Sequence, residues 1–123
     1  MSKKVLLVED EKNVILGVRT CLDAVGYDVE IVEDGEEALN SVNREHPDLI
    51  LLDLLLPKVD GFEVLKTLKV KEETSKIPVV VLTAKAEEED RQRAMDLGAN
   101  NYMTKPFKPQ ELWDVLKGYL PDN

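Results

Sequence analysis

Residues 49–57 read Leu-Ile-Leu-Leu-Asp-Leu-Leu-Leu-Pro, and this stretch decides the fold. Its first four residues are apolar without alternation, which predicts a strand that is covered on both faces, as in a parallel sheet. The charged Asp53 follows at once, and Pro57 ends the stretch before it is long enough to span a bilayer. A single carboxylate at the end of a buried strand therefore becomes the first candidate functional group.

The same alternation of short apolar runs and helical segments extends along the whole chain. Four further strands are predicted at 5–8, 29–32, 79–82 and 102–103, and five helices at 11–25, 36–45, 62–69, 87–97 and 110–120. This order predicts an α/β fold, a doubly wound five-stranded parallel sheet with helices on both faces. No linker or internal repeat divides the chain, so we expect one domain, residues 1–123.

Composition excludes several classes of function. The net charge of −9 argues against direct nucleic acid binding, because phosphate backbones attract clustered Lys and Arg. Cys21 is the only cysteine, which excludes a disulfide framework and favours a reducing, cytoplasmic location. It lies on the predicted core stripe of the first helix, together with Val14, Val18, Leu22 and Val25. No signal peptide or membrane insertion is expected.

Polar side chains follow four of the predicted strands. Glu9 and Asp10 come directly after the first strand, Asp53 after the third, Thr83 after the fourth, and Lys105 shortly after the fifth. Because the carboxyl ends of parallel strands share one edge of a sheet, we expect these groups to converge there.

Converged carboxylates favour a cation. At contact distance and an effective dielectric of 20, each pair repels by roughly 4 kcal/mol. Mg²⁺ takes carboxylates together with substrate phosphate, whereas zinc would want His or Cys ligands that these strand ends lack. A metal-neutralised aspartate beside a Lys and a Thr is equipped to accept a phosphoryl group on its carboxylate.

Four motifs together carry a family resemblance. Val-Glu-Asp-Glu at 8–11, Asp53-Leu54 with Pro57 and Asp60-Gly61, Leu-Thr-Ala at 82–84 and Lys-Pro-Phe at 105–107 stand in a specific order and spacing. In this the chain resembles bacterial two-component response-regulator receiver domains of the single-domain, CheY-like kind. The resemblance implies the flavodoxin-like strand order 2-1-3-4-5.

The resemblance also implies roles for the acidic residues. Asp53 would be the phosphoacceptor, supplied by a sensor histidine kinase or a phosphotransfer protein. Mg²⁺ would be bound by Asp10, Asp53 and the backbone carbonyl of Leu55, and by Glu9 through water.

The remaining implied roles concern the phosphoryl group and its readout. Thr83 and Lys105 would bind the phosphoryl oxygens, and the Lys105–Pro106 bond would be cis. Tyr102 would be the aromatic switch that turns inward as Thr83 moves, changing the face shown to an unidentified downstream protein. Such a domain catalyses its own phosphorylation and dephosphorylation but is primarily a signalling module, not an enzyme.

Some positions in such domains tune the lifetime of the phosphoryl group, and others tune assembly into dimers. In this chain both kinds differ from common patterns. Neither Leu55 nor Lys85, two residues past Asp53 and Thr83, supplies a carboxylate or amide to orient water, which predicts slow self-dephosphorylation. Asn100 and Asn101 stand where related winged-helix regulators often carry acidic residues, and Val115 where an arginine is common. We therefore expect a monomer.

Alternatives stay open at this point. The chain could be an output switch or a relay intermediate, and a stand-alone protein or a domain of a longer regulator. A flavin-binding electron carrier shares the fold, but residues 9–11 are acidic and would repel a flavin phosphate. A degenerate receiver that acts as a scaffold would not need the full set of phosphorylation residues.

Overall fold

The structure is a computed structural model that describes residues 2–120, so the two ends of the predicted domain, residue 1 and residues 121–123, lie outside the described part. Strands and helices alternate as predicted, except that a short additional helix follows the third one. In chain order the elements are β1 Lys4–Val8, α1 Lys12–Ala24, β2 Asp28–Val32, α2 Gly35–Arg44, β3 Leu49–Leu52, α3 Gly61–Val70, α4 Glu72–Ser75, β4 Val79–Thr83, α5 Glu88–Asp96, β5 Asn101–Thr104 and α6 Pro109–Tyr119.

The five strands form one parallel sheet in the order β2-β1-β3-β4-β5, which confirms the predicted topology. Its register aligns the ends of the two central strands, because Val8 on β1 pairs with Leu52 on β3. Leu52 in turn pairs with Val81 on β4. The residues that follow β1 and β3 therefore emerge at the same edge of the sheet as the end of β4.

Two hydrophobic layers enclose the sheet. One face of β3 presents Ile50 and Leu52 to a layer completed by α2, α3 and α5, whereas Leu49 and Leu51 face α1 and α6. All four β3 residues are fully buried, which is why the strand reads as a continuous apolar run. Asp53 is thus held at the end of the most enclosed strand.

Two local predictions were wrong. Helix α4 was not predicted, because its four residues carry no apolar periodicity; it is anchored instead by the buried Thr74, whose hydroxyl donates to the Leu68 carbonyl at 2.6 Å. Val25 was assigned to the core stripe of α1 but is 50% exposed, since it follows the last turn and Gly26, at φ 81°, redirects the chain.

The prediction for Cys21 is confirmed, because this residue is buried on α1. Among residues 2–120 the positive-φ residues are Lys58 and two glycines at helix ends, Gly26 and Gly98. No helix within residues 2–120 combines the length and apolar character needed to cross a bilayer.

Candidate active site

The sheet edge gathers three carboxylates. Glu9, Asp10 and Asp53 each place one oxygen within 4.8 Å of the others. Glu9 and Asp53 are buried, at 1% and 4% exposure, whereas Asp10 is exposed. The cluster therefore has a buried floor and one carboxylate open to solvent.

Lys105 lies across the two buried carboxylates. Its Nζ is 2.6 Å from Glu9 Oε1 and 3.0 Å from Asp53 Oδ2, and it comes from the loop after β5. Burial lowers the pKa of this ammonium, but the contacts with Glu9 and Asp53 outweigh burial and leave the pKa above its ordinary value. Lys105 is therefore a fixed positive charge, and its peptide bond to Pro106 is cis.

Glu9 is held from two sides. Its Oε2 accepts hydrogen bonds from the backbone N–H groups of Asp10 and Glu11, both at 3.1 Å. Its Oε1 lies 2.6 Å from the Lys105 ammonium nitrogen, so this oxygen forms a buried ion pair. Burial raises the pKa of Glu9, although Lys105 opposes this. The direct contact between Glu9 and Lys105 was not predicted, because the sequence indicates that both groups lie at one edge of the sheet but not which of them pair.

Asp53 is oriented by β1, by Lys105 and by the loop that follows it. Its Oδ2 accepts from Lys105 Nζ, and its Oδ1 accepts from the backbone N–H of Leu55 at 3.1 Å. Its own N–H donates to the Val8 carbonyl on β1 at 3.0 Å. The Leu55 side chain is 51% exposed at the mouth of the site.

Thr83 and Tyr102 lie beside this cluster on β4 and β5. Thr83 is fully buried, and its carbonyl accepts from the Lys105 N–H at 2.8 Å. The Tyr102 ring is also buried, with its hydroxyl donating to the Lys85 carbonyl at 2.7 Å. The Tyr102 side chain therefore points inward in this structure, and its hydrogen bond links β5 to the loop after β4.

The donor set fits a hard divalent cation. Three carboxylates and one ammonium leave two negative charges, and the cluster contains oxygen donors without His or Cys. Oxygen ligands of this kind suit Mg²⁺ and not zinc. A cleft of about 650 Å³ adjoins the cluster and is lined by Asp10, Leu55, Lys58 and Lys85, among others. The cluster is therefore open to solvent on the side of Asp10.

Comparison with known sequences identifies relatives over nearly the whole chain. Residues 5–117 match the model of the response regulator receiver domain. The alkaline phosphatase synthesis transcriptional regulatory protein PhoP of Bacillus subtilis is 47% identical over 98% of this chain and 49% of its own length. The phosphate regulon transcriptional regulatory protein PhoB of Escherichia coli is 46% identical over 98% of this chain and 52% of its own length. The chain thus spans about half the length of these curated relatives.

A solved structure shows the same architecture with a metal bound. The receiver domain of the sensor histidine kinase PA1611 from Pseudomonas aeruginosa superimposes with a TM-score of 0.90 at 34% identity, covering 99% of this chain and 100% of that one. That structure has a magnesium ion coordinated in its active-site cleft.

Proposed function

Because the chain belongs to the response regulator receiver domain family of two-component signalling, we propose that Asp53 accepts a phosphoryl group from a histidine kinase or phosphotransfer protein. One observation carries the proposal: Asp53 holds one oxygen on the Lys105 ammonium and the other on the Leu55 N–H, inside a carboxylate cluster. Such a carboxylate is fixed in orientation before a donor arrives.

The transfer step follows from this geometry. A carboxylate oxygen of Asp53 attacks the phosphorus of a phosphohistidine, a P–O bond forms, and the P–N bond breaks. The electron pair of that bond returns to the imidazole nitrogen, which takes up a proton. Lys105, already beside Asp53 Oδ2 at 3.0 Å, stabilises the charge on the phosphoryl oxygens, and the Thr83 hydroxyl is the candidate hydrogen-bond donor.

The residues that would hold Mg²⁺ are Asp10, Asp53 and the Leu55 carbonyl, with Glu9 acting through water. Bound there, the cation would neutralise the carboxylates and the phosphoryl oxygens. Glu9 also has a second role, because its buried carboxylate positions the Lys105 ammonium.

The proposed output is a shift between two conformations of the face around Thr83 and Tyr102. The hydrogen bond from the Tyr102 hydroxyl to the Lys85 carbonyl couples the β5 aromatic to the loop that follows Thr83. A downstream protein would read this face. Either an output switch or a relay intermediate fits, and in both the domain signals and catalyses only its own phosphorylation and dephosphorylation. The acidic cluster disfavours a flavin phosphate at the same edge.

Incubation with acetyl phosphate and Mg²⁺, followed by intact-mass measurement, tests the function. One added phosphoryl group on the wild-type chain supports the proposal. No added group at any Mg²⁺ concentration contradicts it and would favour the scaffold alternative.

The phosphorylated chain is proposed to lose its phosphoryl group slowly, because the exposed Leu55 cannot hold a water molecule in line with phosphorus. Leu55→Asn places an amide at this mouth, and we expect dephosphorylation to quicken by at least about tenfold. The decay of the phosphorylated mass, after removal of acetyl phosphate, measures this. Leu55→Met is the matched apolar control, and an equal acceleration in both variants would contradict the reason given.

The chain is also proposed to be monomeric. Asn100 and Asn101 are engaged within the domain, since Asn100 Oδ1 accepts from Lys69 Nζ and from the Val79 N–H, and Asn101 Oδ1 accepts from the Tyr102 N–H. Neither side chain carries a charge that could join a charge ladder between two copies. Light scattering on the phosphorylated chain should give the monomer mass, and a doubled mass would contradict this prediction.

A further inference from the structure

The turn that starts α2 contacts three consecutive residues of the loop after Asp53. We call residues 54–61 the site loop, because Leu55 lies in it. The Gly35 N–H donates to the Pro57 carbonyl at 3.5 Å, Asp34 Oδ2 lies 3.5 Å from Lys58 Nζ, and Gly35 packs against Val59. Both turn residues are buried, so this contact is a packed junction between two loops.

Gly35 allows the site loop to lie this close. A β-carbon at Gly35 would come within 2.7 Å of the Val59 β-carbon and 2.9 Å of a Val64 methyl carbon, and closer still to the Val59 carbonyl oxygen. That oxygen belongs to the backbone, so it cannot rotate away without moving the site loop. Next to it, Lys58 has φ 66°, a left-handed conformation unusual for a residue with a side chain. The Asp34 carboxylate lies beside the ammonium of this residue.

Hydrogen bonds connect the site loop to itself and to the Asp53 carboxylate. The Gly61 N–H donates to the Leu54 carbonyl at 3.2 Å, which closes the loop on itself. The Leu55 N–H donates to Asp53 Oδ1, which ties the start of the loop to the acceptor carboxylate. We therefore expect a displacement of Val59 to move the Leu55 peptide as well.

We propose that the Asp34–Gly35 turn is a positioning element for the metal site: it sets the Leu55 peptide, and with it the affinity for Mg²⁺. This inference rests on the proposed function, in which Leu55 presents its carbonyl to the cation. Neither Asp34 nor Gly35 would touch the metal or the phosphoryl group.

Isothermal titration with Mg²⁺ tests the proposal on two matched glycine variants. In Gly35→Ala we expect Mg²⁺ binding to weaken about tenfold, because relieving the overlap displaces the site loop. The control is Gly17→Ala on α1, where a β-carbon meets nothing within 4 Å, and its Mg²⁺ affinity should stay at the wild-type value. Urea unfolding of both variants separates affinity from stability. A folded Gly35→Ala that binds Mg²⁺ within twofold of wild type overturns the proposal.

A second pair decides the matter if Gly35→Ala does not fold. Asp34→Asn keeps an oxygen to cap α2 through the Glu37 N–H but removes the charge that faces Lys58, and we expect about twofold weaker Mg²⁺ binding. The control is Glu33→Gln, which removes a charge next to the same turn. Glu33 forms no salt bridge with any residue among 2–120. Equal affinities in the two variants overturn the proposal. A wild-type chain that binds no Mg²⁺ contradicts the proposed function itself, and the positioning role falls with it.

Discussion

The variant Asp53→Asn is expected to gain no phosphoryl group from acetyl phosphate, under conditions in which the wild-type chain gains one. The substitution keeps the shape of the side chain and an oxygen that can accept from the Leu55 N–H or Lys105. It removes the anionic nucleophile, and a neutral amide oxygen does not form the acyl phosphate. Intact-mass measurement at neutral pH with Mg²⁺ present provides the comparison.

A carboxylate in the same cleft supplies the control for this variant. Asp60 lines the cleft and caps α3, where its Oδ1 accepts from the Phe62 N–H at 3.0 Å. Asp60→Asn retains a capping oxygen and should be phosphorylated like the wild-type chain. If Asp53→Asn and the wild-type chain gained the group equally, the assignment of the acceptor would be wrong.

Replacing Lys105 by methionine should produce the second large effect, on both stability and transfer. Met fills a similar volume but leaves the buried carboxylates of Glu9 and Asp53 without their cation. Removing one partner of a buried ion pair costs about 3 kcal/mol, and we expect that loss in the free energy of unfolding. Loss of the charge beside the phosphoryl oxygens should slow labelling by about a hundredfold or more. Urea unfolding and the time course of the phosphorylated mass measure the two effects.

The pH dependence of the stability loss in Lys105→Met tests whether the ion pairs cause that loss. Because the folded-state pKa of Lys105 lies above its ordinary value of 10.5, its contribution to stability is complete below that pH. The contribution is lost as pH rises through the higher folded-state pKa. The difference in stability between wild type and Lys105→Met should therefore be full at neutral pH and shrink in strongly alkaline solution.

An exposed lysine provides the reference for that experiment. Lys66→Met removes a positive charge from the surface of α3 and should change the free energy of unfolding by no more than about 0.5 kcal/mol. A loss in Lys105→Met no larger than that of Lys66→Met would show that the buried ion pairs do not stabilise the domain.

Periodicity was sufficient to predict the fold where burial is complete. The four residues of β3 are enclosed on both faces, so their sequence carries a continuous apolar signal, and β4 behaves in the same way. Helix α4 escaped prediction because a single buried threonine hydroxyl holds it, and a hydrogen bond leaves no periodic pattern in the sequence. The burial of Val25 was predicted wrongly, because an apolar residue past the end of a helix no longer follows the helical repeat.

The sequence by itself determined which residues meet at the sheet edge. Glu9, Asp10, Asp53 and Lys105 follow strands that run in one direction, and parallel strands bring their carboxyl ends to a common edge whatever the side chains are. That rule concerns backbone connectivity, which local periodicity reveals.

Only the tertiary structure decided how those residues pair. The lysine lies between Glu9 and Asp53, which are far apart along the chain, and the turn at Gly35 presses against the loop that carries Leu55. Distances of a few ångströms between separate loops depend on register and packing, which no local pattern encodes. Asp53 could therefore be selected from the sequence, whereas the contacts that orient its carboxylate had to be seen in the folded chain.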